Sequence, residues 1–362
     1  MHIRRQRLQS TEIFFSVALI IVTGLLAYAV MIPWLGFYWD DWFFSWQAHA
    51  RGAAGVIESL EGDRIGQGVL FALNYSWLGS NVLAWQVYLV ALRTLSALLF
   101  LWVLRCLWPD RRHETTTIAL LFLVYPGFLQ QPLHVYSGHY TILCLFALSL
   151  VSTIYAQNAT SRFRRLVWII SGSLLTLVYV MILEHFLGLE LLRLGVLWVI
   201  SQRTEQIAWQ KRALRVGRRA LPYVLPIVAV MIWRVFFFES TREATDLNGI
   251  FQQFVAHPLP TLKPMPIELA RDFIEAVLLG WFYPAGGRLS EATISGAGLS
   301  LSLGVLGAGI VLLYTRRHST TNVYADHRWA KTALVVGSIA VIGALLPNLF
   351  ADRNVHFLTL YD

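Results

Sequence analysis

The chain has 362 residues, of which 56% are hydrophobic and 14% charged, with a mean hydropathy of +0.56. Soluble domains carry roughly 25% charged residues, so a soluble protein of this length is excluded. Stretches of about 18 or more apolar residues point instead to a polytopic membrane protein whose spans are helices. Cys106 and Cys144 are the only cysteines, which gives no disulfide framework and no zinc site.

Hydropathy predicts nine spans: 13–35, 82–104, 116–132, 139–156, 167–183, 186–201, 221–238, 293–315 and 332–350. If all nine cross, the basic clusters at Arg4–Arg7, Arg105–Arg112, Arg162–Arg165, Arg203–Arg219 and Arg316–Lys331 fall on one side. That side is cytoplasmic, with the N-terminus, because Lys and Arg concentrate in inner loops. The basic start and Ala27-Tyr28-Ala29 also match a cleavable signal peptide, but the apolar run continues through Met31 to Leu35 without a polar stretch. The inner segments then hold 19 basic and 5 acidic residues, whereas the outer ones hold 7 and 15. The net charge of +8 is therefore mainly a topology signal and gives no support to nucleic-acid binding. The sequons at Asn74 and Asn158 read as chance matches, the first in apolar sequence and the second facing inward.

Span one ends in Phe37-Tyr38-Trp39-Asp40-Asp41-Trp42-Phe43-Phe44, two adjacent carboxylates among six aromatics. An aromatic belt explains the rings but not the acids, which side by side raise each other's pKa or demand a cation. The loop 36–81 continues with Glu58, Glu61, Asp63 and Arg64, then an apolar stretch from Val69 to Leu78 too short to span. It reads as one or two helices lying on the outer surface.

Downstream, the turn Gln130-Gln131-Pro132-Leu133-His134-Val135-Tyr136-Ser137-Gly138-His139-Tyr140 is uncharged and dense in hydrogen-bonding groups. It is either a polar hairpin or the lining of a pocket, with His139 and Tyr140 as contacts. Glu184 and His185 occupy the next outer turn. Arg93, Glu190, Arg193 and Arg234 lie inside spans, where a charge costs on the order of 3 kcal/mol and needs a partner or an aqueous cavity. Glu190 and Arg193 share a helix face, and a network of Glu190 with Arg193 and Arg93 is the expected arrangement. The second long outer loop, 239–292, holds Pro258, Pro260, Pro264 and Pro266, which favour extended segments. Residues 268–283 then read as an amphipathic helix resting near loop one.

The pattern of loop one resembles the GT-C glycosyltransferases, which include the protein O-mannosyltransferases and the lipid A aminoarabinose transferase. The matching stretch runs from Tyr38-Trp39-Asp40-Asp41-Trp42 through Asp63-Arg64-Ile65-Gly66-Gln67-Gly68 to Leu70-Phe71-Ala72-Leu73. The family's usual Gly-Arg-Pro is replaced here by Asp63-Arg64-Ile65, so no subfamily is assigned. The resemblance implies one transmembrane domain over 1–362, with loops 36–81 and 239–292 forming the site. It implies transfer of a sugar from a polyprenyl-phosphate carrier to a lipid, glycan or protein hydroxyl on the outer face of a plasma membrane, with inversion. Asp40 or Asp41 would be the base, its neighbour orienting it or holding a divalent cation such as Mg or Mn. Arg64 and Arg242 would meet the leaving phosphate, with Lys263, Arg271 and Arg288 as further cations, and His139, Tyr140, Glu184 and His185 would bind substrate. A lipid transporter or flippase, or a non-catalytic subunit of envelope polysaccharide assembly, are the alternatives. Such enzymes usually have more helices, so the chain reads as a short member or an incomplete one.

Overall fold

The structure is a computed structural model that describes residues 2–128, 130–204, 206–242, 246–283, 293–318 and 327–350. These residues are helical throughout, with no strand among them. The helices are α1 (His2–Gly24), α2 (Asp40–Glu61), α3 (Ile65–Leu78), α4 (Val82–Leu107), α5 (Arg112–Val124), α6 (Ser137–Asn158) and α7 (Arg162–Ile182). They continue as α8 (Glu190–Thr204), α9 (Trp209–Phe236), α10 (Leu247–Ala256), α11 (Pro258–Leu262), α12 (Met265–Ile274), α13 (Ile294–His318) and α14 (His327–Phe350). Seven segments are long and apolar enough to cross a membrane: Thr11–Trp34, Val82–Leu107, His134–Asn158, Arg162–Ile182, Trp209–Phe236, Ile294–Tyr314 and Arg328–Phe350. The protein is a multi-pass helical membrane protein.

The other two expected spans fall on shorter helices. α5 has 13 residues and α8 has 15, against about 20 for a full crossing. The cause in the first case is Tyr125-Pro126-Gly127, which ends α5. In the second, a 3₁₀ segment over Glu184–Leu189 precedes α8. Both segments nevertheless run the length of the bundle. At one end Glu12 is bound by Arg105 at 2.6 Å, and Arg105 also donates to Thr116 at the start of α5. At the other end Gln86 of α4 donates to Pro132 O, 2.7 Å, just beyond α5. Likewise Glu184 pairs with Arg234 at the second end, while Arg203 reaches Leu107 O at the first.

The main core is built where α6 packs between α4, α7 and α8, around Ile142, Leu150, Ile154, Tyr179 and Val196. A second core joins α1, α4 and α5 and takes in Tyr314 of α13. The two loop-one helices have their own core, in which Phe71, Tyr75 and Leu78 of α3 meet Val56 and Leu60 of α2 and Trp85 of α4. Loop one is thus a packed layer seated on the bundle end. α3 comes so close to the end of α7 that a Cβ on Gly66 would fall on the Met181 carbonyl. Gly66→Ala is therefore expected to destabilise the fold by about 1–3 kcal/mol, read as a lowered thermal midpoint in detergent.

Second-loop expectations are corrected in two respects. The prolines start helices rather than preventing them: Pro258 opens α11 and Pro266 lies in the first turn of α12, where a missing N–H costs nothing. α12 packs on α14, and its continuation meets Tyr125, whose hydroxyl donates to Ala276 O, rather than loop one. Contact with loop one is made by Thr241, which donates its N–H to Gly62 O at 2.8 Å.

The charges within the spans are enclosed. Arg193 is fully buried and bidentate on Glu190, at 2.5 and 2.7 Å. Its remaining N–H groups go to Ser149, Thr153 and Thr176, and Tyr179 donates to Glu190 at 2.6 Å. The expected link to Arg93 is not made. Arg93 instead donates to Leu123 O, Tyr125 O, Gln131 Oε1 and the Tyr140 hydroxyl. Two cations on separate helices have each found several acceptors, Arg93 for four of its five N–H groups, as burial requires.

Candidate functional site

The chain leaves span one through an extended stretch and turns at Trp39, whose φ of +48° is the one left-handed non-glycine conformation among the described residues. A bulky residue there is strained. The turn starts α2 at once and leaves the two neighbouring carboxylates in different surroundings. Asp40 is exposed, whereas Asp41 is completely buried.

Asp41 works as a clamp. Its Oδ2 accepts from Tyr38 N–H at 3.1 Å, and its Oδ1 accepts from Val135 N–H at 3.1 Å. His134 Nε2 also lies 3.1 Å from Oδ1, off the hydrogen-bond axis. The imidazole is packed between Phe37, at 4.4 Å, and Trp85, at 4.6 Å. Gln86 stitches the same two segments from below, donating to Gly36 O and Pro132 O. The exit of span one and the turn before α6 are therefore held as one unit.

Burial pushes the Asp41 carboxyl up to about 6, with the backbone N–H bonds opposing and the Asp40 charge adding to the rise. A carboxyl raised in the fold binds its proton more tightly than in the unfolded chain, so this contribution is complete below the unfolded value and is lost as pH rises through 6. The difference from an ordinary carboxyl corresponds to about 3 kcal/mol. The thermal midpoint is expected to rise as pH falls from 7.5 towards 5, and this dependence is expected to vanish in Asp41→Ala.

Beyond Asp40 the site is formed by the start of α3, the first turn of α6 and the 3₁₀ segment Glu184–Leu189. Arg64 precedes α3, and its closest acid is Asp63, at 3.8 Å. The Asp63-Arg64 turn is held by Arg234, which donates to Asp63 O at 2.9 Å and to Glu184 Oε1 at 3.0 Å. Arg242 lies 3.7 Å from the Asp63 carboxylate at the rim. The charges of Asp40 and Arg64 both reach the Tyr136 phenol. Tyr136 stacks on His139 at 4.8 Å, and His139 lies 5.8 Å from His185.

Arg64, Glu184 and His185 form the polar end of a cavity of about 390 Å³. Its walls are mostly apolar, including Leu187, Leu191, Met231, Ile250 and Leu346, with Glu190 and Asn348 also among them. Arg64, His139, Glu184 and His185 are thus gathered from three places in the sequence, and Asp40 stands on the adjoining start of α2, whose Asp41 bonds Val135. Tyr140 does not line this cavity but, with His139, a second one, where it bonds Arg93 and Gln131. Lys263 stands apart and exposed, Arg271 pairs with Glu275 at 3.0 Å, and Arg288 lies outside the described residues.

The donor set does not fit a resident divalent cation. Both Asp41 oxygens are committed to backbone N–H groups, and Asp40 alone is one ligand where a protein cage needs several. Among the described residues no group of three His, Cys, Asp or Glu side chains is placed to hold a metal.

Three contributors escaped the sequence reading. His134 carries no signal that separates it from the other polar residues of its turn. Asp63 and Arg234 matter through their contacts with Arg64 and Glu184, and no local spacing encodes those contacts. The chain matches no family model, no curated protein and no solved structure.

Proposed function

We propose that the protein is a GT-C-type membrane glycosyltransferase that moves a sugar from a polyprenyl-phosphate carrier to an acceptor hydroxyl. The observation that carries this reading is the apolar cavity with Arg64, Glu184 and His185 at its polar end. Its shape suits a prenyl chain with a phosphate head. In this reading the segments 112–132 and 184–203 cross the bilayer as broken spans, making nine crossings with the N-terminus cytoplasmic. The site then faces the outer side of the plasma membrane.

Asp40 is the base and Asp41 the residue that positions it. Asp40 is solvent-facing and set on a strained turn, and its neighbour Asp41 is bonded to Val135, beside Tyr136. The acceptor oxygen forms a bond to the sugar's anomeric carbon and gives its proton to Asp40. The bond from that carbon to the phosphate oxygen breaks on the opposite face, and its electron pair leaves with the phosphate. The anomeric centre is inverted. Arg64 offsets the charge that develops on the leaving group, since its one long ion contact leaves its guanidinium available to a phosphate oxygen. Arg234, bonded to both Asp63 and Glu184, keeps that guanidinium at the cavity end.

A charge-assisted hydrogen bond contributes about 1.5–3 kcal/mol. Arg64→Gln is therefore expected to raise the KM for a prenyl-phosphate sugar by roughly 10- to 100-fold, measured in steady-state assays on reconstituted protein. A transporter would need its membrane charges free to exchange partners, whereas Arg193 is fully buried and bonded to Glu190, Ser149, Thr153 and Thr176. The reading is tested by donor consumption: reconstituted protein and a prenyl-phosphate sugar should yield free prenyl phosphate only when an acceptor fraction is present. Prenyl-phosphate translocation without sugar loss would favour the flippase.

A further inference from the structure

A second cavity, of about 510 Å³, lies on the other side of the 3₁₀ segment Glu184–Leu189. The segment acts as a septum. His185, Leu187 and Gly188 face the first cavity, while Phe186 faces the second. It is pressed against α14 by Gly188 and Gly343, which approach so closely that a Cβ on either would enter the other's backbone. The polar ends of the two cavities meet across it, where His139 of the second lies 5.8 Å from His185 of the first.

The cavities differ in charge chemistry. The first presents Arg64, 3.8 Å from Asp63, together with Glu184 and Glu190, whose charges are met by Arg234 and Arg193. The formal charge in the second is Arg93, already held by four acceptors at 2.8–3.2 Å. Its other walls are apolar, among them Phe100, Leu121, Phe122, Phe128, Leu143 and Phe186. The first cavity therefore suits an anionic amphiphile and the second an uncharged chain, because a guanidinium with four of its five N–H donors already bonded has little left for a phosphate.

We infer that the acceptor is itself a lipid: an alcohol on an uncharged apolar chain, lodged in the Phe122–Leu143–Phe186 cavity with its hydroxyl at His139. The inference rests on the glycosyltransferase reading and names its acceptor class. Both substrates enter from the membrane, one on each side of the septum. The hydroxyl emerges beside Tyr136, which packs on His139 and follows Val135, the residue bonded to Asp41 next to Asp40. There it loses its proton to Asp40 and takes the sugar from the phosphate held across the septum.

Two photoreactive probes test this on the full chain in nanodiscs: diazirine-bearing farnesyl phosphate and diazirine-bearing hexadecanol. Leu143→Trp fills the second cavity and Leu346→Trp the first. Hexadecanol is expected to label residues 118–143 and to lose that labelling in Leu143→Trp, with farnesyl phosphate labelling of 184–191 and 343–350 retained. Leu346→Trp should do the reverse, so each variant's retained probe reports that it has folded. Both probes labelling one segment, or hexadecanol labelling unaffected by Leu143→Trp, would overturn the inference. Labelling needs no turnover, so it separates the two claims. The expected labelling with no sugar transfer would retain two lipid sites and discard the enzyme. Transfer to a water-soluble peptide, unaltered in Leu143→Trp, would discard only the lipid acceptor.

Discussion

Asp40→Asn is expected to lower sugar transfer by about 10²- to 10⁴-fold, the range that a positioned general base supplies. Its thermal midpoint should stay close to that of the parent. The side chain is exposed and Asn keeps its shape, so the substitution removes proton affinity and little else. The contrast with Asp41 is the informative part. Asp41 holds Tyr38 N–H and Val135 N–H while buried, so its replacement should cost stability as well as rate. Steady-state kinetics and thermal unfolding on both variants separate the roles. Equal rates for Asp40→Asn and the parent would remove Asp40 from the chemistry.

Arg193→Met is expected to destabilise the protein by roughly 3–5 kcal/mol, because it leaves Glu190 as a buried charge with no cation. Ser149, Thr153 and Thr176 would lose donors in the same step. The double variant Arg193→Met with Glu190→Gln should recover much of that loss, since the uncompensated charge is then gone. Unfolding by graded addition of denaturing detergent to mixed micelles measures both. A single variant as stable as the parent would mean that the pair is not closed off from water.

Hydropathy made seven of the nine expected spans legible because the bilayer imposes one demand, a long apolar run, on every crossing. The other two fall on shorter helices, whose ends were not read. Pro126-Gly127 stood within an apolar stretch, and the 3₁₀ turn at Glu184–Leu189 follows from its packing against Gly343. The acidic pair was visible at Asp40 and Asp41, but its division was not. Adjacent helical residues point about 100° apart, and only contacts from Val135, ninety-four positions away, decide which one is enclosed. The pairing of Glu190 with Arg193 is local and was readable from their spacing. Arg93 had no such neighbour, and its acceptors lie on Leu123, Tyr125, Gln131 and Tyr140, which only the tertiary fold brings to it. The cations expected around the phosphate were similarly divided, with Arg64 at the cavity and Arg271 tied to Glu275.

The most direct test of the proposed activity uses the reconstituted full chain with a prenyl-phosphate donor labelled in the sugar and a membrane-lipid acceptor fraction. The expected result is label moving to an acceptor with inverted anomeric configuration, and almost none moving with Asp40→Asn. Label that stays on prenyl phosphate in the parent, or moves equally in Asp40→Asn, would contradict it.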